Sequence, residues 1–465
     1  MPEVKTSASG AVRDGLAGVR NKVTLWPLVG AIYLIVAGGP FGLEDIVGSS
    51  GYTGAILILL ITPLIWSLPT ALMVSELSSA IPEDGGYYRW VARGMGRFWG
   101  FQEGWLSLTG SIFDMAIYPT LFVSYLSRIA PALVAGHRGT VIGVVMIAAC
   151  AAWNMLGAGT VGRSSLAMTL LLLAPFAVLS VYAVTHAGGA AGHATAPLRH
   201  VDILAGLLIA MWNYMGWDNS TTIAGEVERP QKTYPWAMAI GVVLVALTYV
   251  LPIGAVAATG LDPNRWTTGG WPDVARAIMP TGLGGEFLGL TLTIAGMLGA
   301  LGTLNALTLV YSRLPAVMAE DGFLPRGLVK RTRRTYAPWV SILVCATAWA
   351  LCLGLNFSKL VMLDVLLTGL SILLEFAALV ALRIREPDME RPYRVPGGFA
   401  GAVGIGLPPL ALLALAVVRN DAEPVGPINA LQLGCLIVLA GVICYFLARR
   451  AHRTGQAEPP APHGI

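Results

Sequence analysis

Inside its first apolar segment the chain reads Ala37-Gly38-Gly39-Pro40-Phe41-Gly42-Leu43-Glu44-Asp45. Proline removes a backbone donor and glycine favours non-helical backbone, so a continuous helix does not pass through this run. The chain around it has the composition of a membrane protein. Of its 465 residues 55% are hydrophobic and 12% charged, against about 25% charged in an ordinary soluble domain. The mean hydropathy of +0.68 agrees. In lipid, a helix break followed by two acids is costly unless it lines a polar cavity. The run therefore predicts a broken helix with a solute site at the break.

Twelve apolar segments long enough to be candidate spans follow one another, at about 25–49, 53–81, 94–128, 140–156, 164–185, 201–224, 235–259, 286–319, 338–355, 360–382, 403–418 and 428–447. Continuous apolar runs predict helices rather than an outer-membrane barrel, whose strands alternate. The third and eighth are long enough to tilt or protrude. Basic residues gather in alternate connections: Arg89, Arg93 and Arg97; Arg229 and Lys232; Arg326, Lys330 and Arg331; Arg383, Arg385, Arg391 and Arg394; and both ends of the chain. This bias predicts cytoplasmic termini in a plasma or inner membrane. Residues 1–22 read as a cytoplasmic lead segment without the pattern of a signal peptide. Residues 451–465, rich in proline, read as a disordered tail.

The net charge of +4 is spread through these topogenic clusters and points to no nucleic-acid partner. The five cysteines lie in apolar runs, and neither they nor the histidines show a metal-ligand spacing. No phosphate-binding loop and no nucleophile–base set appears, so neither a nucleotide-driven pump nor an enzyme is expected. No metal or organic cofactor is expected.

A second interruption falls in the sixth segment, at Trp212-Asn213-Tyr214-Met215-Gly216-Trp217-Asp218. Gly216 is the expected hinge, with Asn213 and Asp218 as polar residues at the break. Breaks five spans apart predict two five-helix repeats of opposite topology. Four acids stand out near the breaks or inside spans: Glu44, Asp45, Asp114 and Asp218. Successive residues on a helix point about 100° apart, so Glu44 and Asp45 cannot both face one small ligand. Glu44 is expected on the ligand side, with Asp45 capping or pairing elsewhere. Asp114 and Tyr118 share a helix face, and Glu103, eleven residues earlier, extends that face into a polar track. Glu375 shares a face with Ser371. Glu226 and Glu228 with Arg229 and Lys232 read as an acid–base cluster, either an inner gate or a solvated loop.

Several stretches resemble one transporter superfamily. They are Gly38 to Asp45, Pro63-Leu64-Ile65-Trp66-Ser67, Ile81-Pro82-Glu83-Asp84-Gly85-Gly86-Tyr87, Phe98 to Gly104, Ala224 to Pro230, and Ser312-Arg313-Leu314-Pro315-Ala316-Val317-Met318-Ala319-Glu320-Asp321-Gly322. The chain resembles the amino acid–polyamine–organocation transporters, nearest the plant-type polyamine carriers and the light-subunit amino acid transporters. The resemblance implies an all-α, LeuT-like membrane fold of twelve transmembrane helices. Residues 23–384 would form a ten-helix inverted-repeat core with broken first and sixth helices, and 385–450 two peripheral helices with their preceding loop. It implies that Gly38, Gly39, Pro40 and Phe41 line the first break, and that Trp212 gates the substrate. Asn213, Tyr214 and Gly216 would form the other half of the site, and Asp218 would serve gating or proton coupling. Arg163 stands where proton-coupled relatives carry a lysine beside the first break. Arginine keeps its charge, so it fits a fixed counter-charge better than a proton switch; an interfacial anchor is the plain alternative.

Together these readings predict a secondary transporter that imports a small amine-bearing solute by alternating access, with the proton as coupling ion and membrane lipid as its surroundings. Amino acids and polyamines are both open as substrates. An exchanger uses the same fold, and a channel or solute-sensing receptor is the alternative of another class.

Overall fold

The computed structural model describes residues 22–186, 201–279, 283–355, 357–419, 424–425 and 428–456. The expected lead segment, apart from Lys22, and the end of the expected tail lie outside these residues. The described residues are all-α apart from two short strands, Pro424–Val425 paired with Ile428–Asn429. Among the described residues, eight helices are long and apolar enough to cross a membrane, and four shorter apolar ones accompany them. It is a multi-pass membrane protein.

The first short helix, α1 (Leu25–Val36), ends where the glycines begin. Gly38, Gly39 and Gly42 take positive φ values of 57°, 98° and 83°, a region that costs a side chain dearly. Helix resumes as α2 (Glu44–Thr62), which turns at Gly51, φ 67°, and so separates the first expected span from the second. A π-helical turn at Pro63–Ser67 leads into α3 (Leu68–Ala80); Pro63 has no N–H to donate there. The short α4 (Gly86–Met95) precedes the long α5 (Arg97–Ile129). After a one-turn helix come α7 (Arg138–Asn154) and α8 (Ala158–Thr185), the one-turn piece, Pro131–Val134, being α6.

The second interruption is also present. Helix α9 (Ile203–Asn213) stops, Gly216 adopts φ 92°, and the chain continues as a 3-10 helix over Asn219–Glu226. Then follow α10 (Pro230–Ala257), a 3-10 turn at Pro263–Arg265, and α11 (Trp271–Ile278). The long α12 (Leu283–Tyr311) and short α13 (Leu314–Glu320) lead through the turn Arg326–Val329 to α14 (Trp339–Leu351). The chain closes with α15 (Phe357–Arg385), α16 (Gly398–Gly404), α17 (Leu407–Arg419) and α18 (Ala430–Gln456). Helix α18 thus continues past Ala451, where the tail was expected to begin.

Helices α5, α12 and α15 form the centre, with α5 packed against both of the others. Small residues let them close on the broken helices. A Cβ on Gly299 would lie 2.5 Å from the Gly38 carbonyl oxygen, and one on Gly296 would lie 2.8 Å from the Tyr125 ring. Both distances are below contact, so these glycines permit the approach of α12 to the first break and to α5. The outward faces of α8, α10 and α18 expose large aliphatic side chains such as Val181, Val243 and Leu447, as lipid contact requires.

Candidate substrate site at the helix breaks

The two breaks meet at a small cavity. Ile35 and Val36 at the end of α1 and Met215 and Gly216 after α9 form one side. Asp114 and Tyr118 of α5, Tyr311 of α12, Asp364 and Thr368 of α15, with Trp212 and Asn219, close the other. Both α1 and α9 run towards the cavity, so both present C-terminal ends, where backbone carbonyls give partial negative charge. The opposite helix starts carry the protein's own acids. Glu44 and Asp45 occupy the first turn of α2, and Asp218 directly precedes the 3-10 helix. A carboxylate placed at a helix start complements its positive end, so these amides are already matched by charge.

Asp114 is the best-connected group. Its Oδ1 accepts from Tyr118 Oη at 2.8 Å and from Trp212 Nε1 at 3.4 Å, and its Oδ2 from Tyr311 Oη at 3.1 Å. Asp364 Oδ1 accepts from Thr368 Oγ1 at 2.8 Å, one helical turn along. Both acids are buried. No described Lys or Arg lines the cavity. Trp212 lies edge-on to Phe357 and tilted over Tyr118, and Gly42 leaves room for its ring. Rings around a carboxylate pair suit an ammonium group, which is attracted by both.

Of the residues expected in the site, Asp114, Tyr118, Trp212 and Gly216 line the cavity. Glu44 does not: its buried carboxylate accepts from Tyr125 Oη, and neither residue lines the cavity. Asp45 accepts from Thr268 Oγ1 at 2.7 Å, a pairing outside the site. Gly38, Gly39, Pro40 and Phe41 shape the first break but do not line the cavity. Pro40 O accepts from Trp271 Nε1 at 2.6 Å, and Phe41 packs on Tyr125 and Phe176. Asn213 binds back to its own helix, and Tyr214 Oη donates to Leu59 O. Asp218 does not line the cavity; it is buried, and its Oδ1 has no partner among the described residues. Arg163 lies on α8, with its side chain outside the described residues.

Asp364, Tyr311, Asn219 and Thr368 were missed by the sequence reading. For Asp364 a signal existed: it is a lone acid in the apolar stretch Val361-Met362-Leu363-Asp364-Val365. For the other three, residue type alone carried no such signal.

Contacts tie the helix ends together on both faces of the protein. On the face bearing the basic connections, Arg89 Nη1 pairs with Asp321 at 2.8 Å, and Tyr88 Oη donates to the same carboxylate at 2.6 Å. Arg313 pairs with Glu226 at 3.2 Å, so the expected Glu226 cluster finds its cation on the α12–α13 connection. Asp84 accepts from Gly225 N at 2.9 Å, and burial pushes its carboxyl above the usual range. Val23 exchanges backbone hydrogen bonds with Glu226 and Glu228. Arg89 and Arg93, two of the basic residues in the second-to-third connection, form ion pairs with Asp321 and Glu386. On the opposite face Arg128 pairs with Asp273, and Trp266 Nε1 donates to Tyr52 Oη at 2.9 Å. The enclosed space is about 20 Å³. One water needs about 10–15 Å³ by the same measure, so a solute larger than water fits only if the cavity widens. Among the described residues no group of acids, histidines and cysteines is placed to hold a metal ion.

Residues 28–446 match the family model described as "Amino acid permease". The chain is 36% identical over 417 residues to "Polyamine transporter PUT1" of Oryza sativa subsp. japonica, covering 89% of this chain and 77% of that one. It is 34% identical over 406 residues to "Polyamine transporter RMV1" of Arabidopsis thaliana, covering 87% and 81%. It is also 27% identical over 342 residues to "Serine/threonine exchanger SteT" of Bacillus subtilis (strain 168), covering 71% and 76%.

Proposed function

Because the chain belongs to the amino acid permease family, and is therefore a secondary transporter of amino acids or polyamines rather than an enzyme, we propose that its substrates are polyamines, taken up with protons by alternating access. One observation carries this reading. The interior site combines two carboxylates, Asp114 and Asp364, with two helix C-termini, and no described basic side chain lines it. An amino acid would bring a carboxylate needing a positive partner, and the free helix starts at the breaks are already faced by Glu44, Asp45 and Asp218. A substrate with ammonium groups and no carboxylate meets only complementary charge. The resemblance to plant polyamine transporters supports the same choice.

In this reading the fold is the twelve-span, LeuT-like arrangement. Spans one to five and six to ten form the inverted repeats of a core over residues 23–384, each repeat opening with a broken helix. The two remaining spans, within 385–450, are peripheral. The basic face is cytoplasmic, with both termini on it, and the membrane is the plasma or inner membrane. Trp212 covers the bound ammonium. The seals at Arg89–Asp321 and Arg128–Asp273 open in alternation. Buried acids without a cation must take protons when the solute leaves, and that exchange couples uptake to the proton gradient. Glu44 and Asp45 hold the first break, and Asp218 gates the path from the cavity.

Purified protein in liposomes tests this. Labelled spermidine is expected to accumulate when the lumen is made alkaline, and an uncoupler is expected to abolish the accumulation. Serine accumulation without spermidine uptake would overturn the substrate. Spermidine movement that needs substrate inside, and no gradient, would replace import with exchange.

A further inference from the structure

Below the cavity, towards the basic face, α5 and α15 run antiparallel with their polar residues in register. Asp114 faces Asp364 across the cavity. A Cβ on Gly110 would lie 2.9 Å from Thr368 Oγ1. Ser107 Oγ and Ser371 Oγ are 3.0 Å apart. At the lower end Glu103 accepts from the Ser371 hydroxyl, and Glu375 follows Ser371 by one turn on the same face. The eleven residues from Asp114 to Glu103, and from Asp364 to Glu375, each span roughly 16 Å of helix.

The lower pair is unusual for buried acids. Glu103 and Glu375 are fully buried. Among the described residues, Glu103 Oε2 and both oxygens of Glu375 have no hydrogen-bond partner. None of these acids forms an ion pair with a described Lys, Arg or His; the buried arginines are engaged by Glu76 and Glu226. Asp218, whose Oδ1 finds no partner among the described residues, lies within electrostatic range of Glu103, Glu375 and Asp364 alike. It therefore borders both levels. Gly110 and Thr368 pack too closely to admit a chain between them, so a route joining the levels runs beside the ladder, past Asp218.

We propose that Glu103 and Glu375 form a second ammonium station, which takes the leading amine of a long polyamine while its trailing amine is still held by Asp114 and Asp364. The inference rests on the polyamine reading of the central site. Chain geometry makes it specific for length. Three single bonds in an extended chain cover about 3.5 Å, so the terminal nitrogens of spermine, thirteen bonds apart, span about 15 Å, and those of putrescine about 6 Å. Spermine bridges the two levels and putrescine reaches one.

The test is uptake of labelled putrescine and spermine into liposomes by wild type, Glu375→Gln and Glu103→Gln. Glu375 accepts no hydrogen bond from the described residues, so its amide should leave the fold intact, as a melting curve checks. Expected is a loss of spermine kcat/KM of about tenfold or more, the worth of one charge-assisted contact, with putrescine changed by less than about twofold. A second measurement needs no variant. The thirteen-bond diamine 1,12-diaminododecane should compete with spermine at least about tenfold better than dodecylamine on wild type. Equal losses for both substrates, no loss for either, or equal competition by diamine and monoamine overturns the station. Wild type that moves neither polyamine overturns the substrate reading itself, a different result from wild type that moves both without any effect of length.

Discussion

Glu76 and Glu375 are both fully buried acids near the basic face, and the protein treats them in opposite ways. Glu76 on α3 receives Arg383 Nε at 2.9 Å, Arg391 Nε at 3.2 Å and the Val395 amide at 2.7 Å. Glu375 on α15 receives nothing from the described residues. The first acid ties the segment after α15 back to α3 and is structural. The second belongs, with Glu103, Asp218, Asp114 and Asp364, to a set whose cations are not supplied by described Lys or Arg side chains. Burying a charge is costly unless it is paired. Glu76 is matched by arginine within the fold; in the proposed transport mechanism the acids of the second set take their partner from solute or proton.

The comparison is sharpest if the two kinds of acid are neutralised in turn. Glu76→Gln strands Arg383 and Arg391 against one another in a buried site. The expected cost is about 3–5 kcal/mol, read as a large fall in melting temperature or in folded yield. Asp114→Asn should do the reverse. Transport is expected to fall by about a hundredfold or more, since a charge-assisted contact in the site is lost, while the melting temperature holds or rises. If Asp114→Asn unfolds the protein and Glu76→Gln transports normally, the division between structural and functional acids is wrong.

A smaller effect is expected at the seal between them. Gly86 begins α4 with φ 39°, and a Cβ there would come 2.1 Å from Thr221 Oγ1 and 2.8 Å from the Thr221 backbone. Gly86→Ala therefore pushes α4 away from the 3-10 helix and weakens the closure on the basic face. Affinity for polyamine offered from that face should change by about tenfold, the effect of some 1.4 kcal/mol on one state. Unchanged affinity from both faces would mean that this contact does not bias access.

How much of this was legible beforehand follows from the same physics. The breaks were legible, because Gly38-Gly39-Pro40 and Gly216 weaken a helix and each stands beside polar residues within an apolar segment. The Asp114–Tyr118 pair was legible, because a four-residue spacing fixes a shared face. Asp364 was visible as an isolated acid, but its partnership with Asp114 was not, since spacing within one helix says nothing about which other helix it faces. Glu44 shows the converse. It directly follows the break, yet the angle at which α2 leaves that break turns its carboxylate to Tyr125. Around that break the Trp271 bond to Pro40 and the approach of Gly299 to Gly38 are contacts distant in sequence, which spacing does not reveal.

The smallest effect belongs to the exposed counterpart of the Glu76 cluster. Arg93 on α4 donates from Nε and Nη2 to Glu386 at 2.9 and 2.6 Å, just beyond α15. The geometry is bidentate, as at Glu76, but here water surrounds both partners. Exposed pairs of this kind contribute about 0.2–1 kcal/mol and are screened by salt. The guanidinium of Arg93 holds the Glu386 carboxyl below its usual range. The sign follows: the contribution is fully present above the ordinary carboxylate pKa and is lost as pH falls through the lowered value. Glu386→Gln should therefore lower the melting temperature slightly near neutral pH, and the difference should vanish in acid and in concentrated salt. A large, salt-resistant loss would show that the pair behaves like the buried one, and that burial is not what separates the two ends of this protein's acid–base contacts.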